Sequence, residues 1–135
     1  MRKDIEIDGK ICHFKTSAAI PRMYRIKFKR DLFGDMDRLR IDVEQQEKKK
    51  EEVRKAAEAD GREYTETSEL SITSLEVFEN IAFMMHKHGD PEQPNDIDEW
   101  LEQFETFDIY TILPEILEMW QQENATTSLA KKKKD

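Results

Sequence analysis

Apolar and polar residues alternate near the start of the chain and recur at helical spacing after it. Over residues 4–15 the apolar positions are Ile5, Ile7, Ile11 and Phe14, with Asp8-Gly9 between them. A two-residue loop ending in Gly suits a tight hairpin, because glycine accepts positive φ. The pattern therefore predicts a β-hairpin. A lone hairpin is marginal in water. It has to pack on helices or pair with another chain, and the second arrangement would use its strand edges for assembly.

Helical spacing begins after the hairpin. Ser17 is a good cap and Pro21 fits only a first turn, so a helix is expected over 18–30, with Ile20, Met23, Tyr24 and Phe28 as contacts. Asp31 can cap or interrupt, and Gly34 weakens continuity. Leu32, Met36, Leu39 and Val43 then mark one face of a second helix. Residues 44–63 are 13 charged of 20, with Val53 and three alanines as the only apolar positions. Such a stretch suits a solvated helix with pairs such as Glu51–Lys55, fraying into a linker near Gly61.

Thr73 and Glu76 have the spacing of a capping box. The stretch after them, LEVFENIAFMM, is apolar on more than one side, which marks the centre of the core. Gly89 ends this helix, and PEQPN reads as a loop. Asp96 and Glu99 open a short helix carrying Trp100, Leu101 and Phe104. In IYTILPEILEMWQQ, Ile109, Ile112, Leu113, Ile116, Leu117 and Trp120 share a face. Pro114 removes a backbone donor there, so a kinked helix or a break followed by a new helix is expected. The core is expected from 72–85 and 109–120, with 97–104 beside them.

The fold class expected is mainly α: a small helical domain with an N-terminal β-hairpin. One domain should span 1–124, with a charged helical extension or linker over 44–70 and a disordered Lys-rich tail at 125–135. Composition agrees. Of 135 residues, 39% are charged and 37% hydrophobic, with four Gly and four Pro, which favours helices with wet outer faces. The single cysteine, Cys12, fits a reducing compartment. No apolar run approaches the roughly 20 residues of a membrane helix, and MRKDIEIDGK lacks the apolar stretch of a signal peptide. The reading is a cytoplasmic protein that does not engage a membrane.

Charge is unevenly distributed. Residues 1–43 carry 11 Lys+Arg against 7 Asp+Glu, a net of +4, while 64–124 carry one lysine against 15 acids, a net of −14. The two segments should attract each other or oppositely charged partners. The basic residues Arg22, Arg25, Lys27, Lys29 and Arg30 interleave with Tyr24 and Phe28, a pattern that can contact nucleic acid. It equally suits the wet side of a helix facing the acidic half of the chain. The overall net of −8 favours the second reading and argues against general nucleic-acid binding.

No catalytic constellation is found, so no enzyme activity, cofactor or metal is expected. His86 and His88 are two residues apart, on different faces of a helix, without a CxxC or HExxH beside them. Cys12 and His13 are neighbours on a strand and should point to opposite faces. Phosphate-loop, GxSxG and dinucleotide-binding patterns are missing. The candidate partner-binding residues are Trp100, Phe104, Phe107 and Tyr110. They cluster in a short acidic stretch with no obvious single helical face. The bland alternative is that they close the core.

Four stretches taken in order, DIEIDGKICHFKTS, AAIPRMYRIKFKRDLFGDM, LEVFENIAFMMHKHGD and IDEWLEQFETFDIYTILPEILEMWQQENATTS, resemble tail assembly chaperones of long-tailed phages and prophages of Gram-positive bacteria. They cover most of the chain outside 44–70. The resemblance implies a non-enzymatic helical protein of the bacterial host cytoplasm, absent from the mature virion. It implies that the protein binds and solubilises the tape measure protein and helps recruit major tail tube subunits. Self-association is a separate expectation, since the strand edges of the hairpin offer a surface for it. The family has no catalytic residues to carry over. The competing expectation is a phage or prophage regulator that binds nucleic acid through residues 22–30 and the lysine tail.

Overall fold

A computed structural model describes residues 1–61 and 70–133, with 123–133 described by backbone alone. The chain is mainly α with an N-terminal hairpin: β1 (Arg2–Ile7), β2 (Lys10–Lys15), α1 (Ile20–Phe28), α2 (Leu32–Asp60), α3 (Ile72–Gly89), α4 (Ile97–Glu102) and α5 (Ile109–Lys133). The two strands pair antiparallel, with Ile7 opposite Lys10 and Arg2 opposite Lys15. Asp8 and Gly9 both take positive φ, 55° and 75°, as the two-residue turn requires. Ile5, Ile7, Cys12 and Phe14 turn inward, while Asp4, Glu6, Ile11 and His13 face solvent.

The hairpin packs on helices rather than standing alone. β2 lies on α3, and β1 touches α5. At Gly89 the approach is so close that an added Cβ would sit 2.3 Å from the His13 carbonyl oxygen. That glycine ends α3 and also lets the helix end against the strand.

Boundaries differ from expectation where capping decides them. α1 starts at Ile20, two residues later than expected, because Ser17 caps no helix; its Oγ accepts instead from the Ala19 N–H and bonds His88. α1 stops at Phe28, since Lys29 adopts a left-handed conformation with φ 58°. Asp31 caps α2, accepting from the N–H groups of Phe33 and Gly34 at 3.2 Å each. Gly34 does not interrupt that helix: a side chain there would crowd the capping carboxylate at 3.2 Å. α2 runs unbroken to Asp60, and Gly61 closes it in a left-handed cap. The charged stretch to Asp60 is thus helical; expectations for 62–69 lie outside the described residues.

α3 starts at Ile72 rather than after Thr73. Ser71 is its cap, and Asp42 of α2 accepts from the Ser71 N–H and hydroxyl. The Thr73–Glu76 pair therefore lies inside the first turns. Residues Ile81–His86 are all buried, because α3 is walled by β2, α1, α2 and α4. Asp96 caps α4 as its spacing predicts, accepting from the Glu99 N–H. α5 is one continuous helix through Pro114. Proline leaves the Tyr110 carbonyl without its intrahelical donor, but both residues are exposed and water can take that place. The backbone of α5 is helical to Lys133; the side chains of the lysine-rich end, where disorder was expected, lie outside the described residues. No described helix is long and apolar enough to cross a membrane.

Candidate functional site

Three of the four candidate residues meet in one aromatic knot. Trp100 is fully buried. Its ring meets Phe83, Phe104 and Phe107 edge-on, with centroids 5.6, 5.6 and 5.4 Å away. Its Nε1–H donates to His86 Nδ1 at 2.9 Å. A buried indole needs such an acceptor, since an orphaned N–H costs about 1–3 kcal/mol. The bond assigns His86 the tautomer with Nδ1 free of hydrogen, and the ring stacks on Phe14 at 5.2 Å. Burial pushes the His86 pKa down to about 4, against a smaller upward pull from Asp90.

Phe104 is buried, with Lys10 Nζ 5.7 Å from its ring centre. Phe107 is half-buried and reaches back to Phe78 at 5.4 Å. Trp100 and Phe104 thus close the core between α3 and the chain after α4, and only the edge of Phe107 is open. Tyr110 is separate. It is 51% exposed, and Lys50 Nζ stands 4.8 Å over its ring, joining the start of α5 to the middle of α2.

Other exposed apolar groups lie off the helical stripes. Phe33 is 54% exposed and stands 5.3 Å from Trp120, across the α2–α5 boundary. Ile72 opens α3 at 76% exposure. Ile72 opens the segment 72–85 expected to build the core, and its exposure corrects that boundary. Phe33 was passed over, although it sits one position off the Leu32–Met36–Leu39 stripe and cannot share its burial.

The expected attraction between the basic and acidic segments is only partly realised inside the molecule. Lys3 pairs with Glu115 and Glu118 of α5. Lys10 and Lys27 reach the acidic segment but donate to the carbonyls of Gln103 and Asn95. Arg30 turns to Asp35, bonding it at 2.7 and 2.8 Å, and Tyr24 donates to the same carboxylate at 2.8 Å. Burial alone would raise the Asp35 pKa, but Arg30, Tyr24 and Arg38 outweigh it and hold the group below its ordinary value. Arg22 and Arg25 on α1, and Lys29 just past its end, are exposed with no ion pair among the described residues. The aromatics interleaved with them point the other way: Tyr24 is buried and Phe28 half-buried against it at 5.0 Å.

The histidines separate as their spacing predicts. His86 faces Trp100, whereas His88 Nε2 meets Ser17 Oγ at 3.1 Å. Among the described residues no group of three potential ligands could hold a metal. Cys12 is buried, and its burial raises the thiol pKa; His13 points outward to Asp4, at 2.6 Å. No protein-family model, curated protein or solved structure matches the chain.

Proposed function

We propose that this chain is a non-enzymatic phage tail assembly chaperone. It holds the tape measure protein in soluble form and helps recruit major tail tube subunits in the host cytoplasm, without entering the virion. The observation that carries this reading is the pair of exposed aromatics on the α2–α5 boundary, Tyr110 under Lys50 and Phe33 against Trp120, set in a surface otherwise dense in charge. A tape measure protein is long and helical, with apolar faces that aggregate until covered. Aromatics fixed on rigid helices bind such faces with little loss of side-chain freedom, and the acidic surround keeps the complex dispersed. Several copies along one partner add avidity to weak contacts.

Within this reading the binding surface shifts from the whole aromatic set to its exposed part. Tyr110, the open edge of Phe107 and, beyond that set, Phe33 make contact, while Trp100 and Phe104 support them from the core. The competing nucleic-acid reading keeps the exposed cations Arg22, Arg25 and Lys29, but it loses the buried Tyr24 as a stacking platform and keeps only the half-buried Phe28.

Coexpression with the tape measure protein of the same genome tests the proposal. That protein should be insoluble alone and soluble with the wild-type chain, and Tyr110→Ala should reduce its recovery. A tape measure protein equally soluble without the chain would contradict the assignment. Full rescue by Tyr110→Ala and Phe107→Ala would contradict the surface.

A further inference from the structure

The hairpin has one edge blocked and one open. Met1 and Thr16 exchange both backbone hydrogen bonds, at 2.8 and 2.9 Å. By the alternation of an antiparallel ladder, Lys3, Ile5 and Ile7 do the same with Phe14, Cys12 and Lys10. The backbone groups of His13 therefore point outward from β2, and there Gly89 presses against the His13 carbonyl. The matching groups of Arg2, Asp4 and Glu6 point outward from β1. No described residue bonds them, and all three side chains are exposed.

Charge along that edge is unbalanced within one molecule. Arg2 stands directly opposite Lys15, a like-charge pair with no acid paired to either among the described residues. Four residues on, Glu6 stands opposite Ile11 and has no cation. Like charges opposite each other destabilise a ladder, and opposite charges stabilise it.

We propose that two copies of this chain pair antiparallel along β1, about a two-fold axis at Asp4, to form a four-stranded sheet ordered β2-β1-β1-β2. Arg2 then lies opposite the partner's Glu6, and Glu6 opposite the partner's Arg2. Each unbalanced end of one strand meets its complement on the other. The outward groups of Arg2, Asp4 and Glu6 all gain partners. The cost falls at the axis, where Asp4 faces the partner's Asp4 and each carboxylate keeps its own His13 on the far side. This inference is independent of the tape measure reading: the chain can dimerise whether or not it is a chaperone.

Sedimentation equilibrium and cysteine cross-linking test it together. Wild-type protein should show a concentration-dependent dimer. Asp4→Pro, which removes an outward N–H and leaves the β1–β2 ladder intact, should be monomeric. Asp4→Asn should tighten the dimer by roughly two- to fivefold, by removing the like-charge contact. Hydrogen-bonded partners have Cα atoms about 5.5 Å apart, within disulfide range, so Asp4→Cys should oxidise to a homodimer. Arg2→Cys should cross-link to Glu6→Cys in a mixture but not to itself, since its own copy lies about 13 Å along the strand. Wild-type protein that stays monomeric at every concentration would overturn the proposal, as would an Asp4→Pro dimer of wild-type affinity. Arg2→Cys linking to itself as readily as to Glu6→Cys would overturn the register.

Discussion

Trp100 and Tyr110 lie ten residues apart in the same acidic stretch, yet they have opposite fates. Trp100 is fully buried, with its one polar atom bonded to His86. Tyr110 is half in water under a lysine. Aromatic content and local charge are alike around the two, so neither decides the outcome. The difference is what each finds across the fold: a neutral imidazole and three rings for Trp100, the flank of a charged helix for Tyr110. An aromatic in an acidic segment is a binding candidate only after its partners inside the molecule have been counted.

The contrast can be broken most forcefully from the buried side. Trp100→Ala should cost about 3–5 kcal/mol, measured by chemical denaturation, because it empties the centre of the knot. Phe78→Ala, fully buried on α3, should cost a similar amount. A stability within experimental error of wild type for either would remove that residue from the core.

Acid should weaken the knot next. The folded pKa of His86, about 4, lies below the ordinary 6.5, so the unfolded chain takes up this proton first. The contribution of His86 is complete above pH 6.5 and is lost as pH falls toward 4, about 3 kcal/mol in all. His86→Gln keeps an acceptor for Trp100 without titrating in this range. Its stability should be flatter between pH 6.5 and 4; a slope equal to wild type would assign the acid sensitivity elsewhere. The contribution of Asp35, whose pKa is also lowered, is present while the carboxylate is ionised and is lost at still lower pH, where it takes up a proton. Asp35→Ala should cost about 2 kcal/mol at neutral pH. That is less than for a fully buried pair, because Arg30 and Arg38 are 45% and 68% exposed.

The exposed side should respond least in stability and most in function. Tyr110→Ala should change stability by less than about 0.5 kcal/mol while lowering recovery of soluble tape measure protein. A large loss of stability would make Tyr110 a core residue and collapse the contrast.

Local signals in the sequence carried the local structure. The Asp8-Gly9 turn, the alternation in the hairpin, the Asp96 cap and the broad apolar surface of α3 all appear where their patterns place them. Signals that depend on distant residues were not legible. Ser71 rather than Thr73 caps α3, and Asp42, 29 positions away, accepts from its hydroxyl and N–H. Met119 was left out of the face traced from Ile109 to Trp120, yet it stands seven residues after Ile112 and three after Ile116, on the same stripe, and is fully buried. Ile5, Ile7, Phe14, Tyr24 and Leu32 extend the core well beyond the helices expected to build it. Of the candidate site, the clustering of Trp100, Phe104 and Phe107 could be read from their spacing. Their burial could not, because it depends on His86 and Phe78, which lie on another helix.

Amide hydrogen exchange, on the chain alone and with the tape measure protein, tests most directly which aromatics bind. The account predicts slowed exchange on binding around Lys50 and Tyr110, on α2 and the first turns of α5. Residues 78–86 of α3, already protected by burial, should be unchanged. Unchanged exchange at Tyr110 together with a response confined to the Trp100 knot would contradict it.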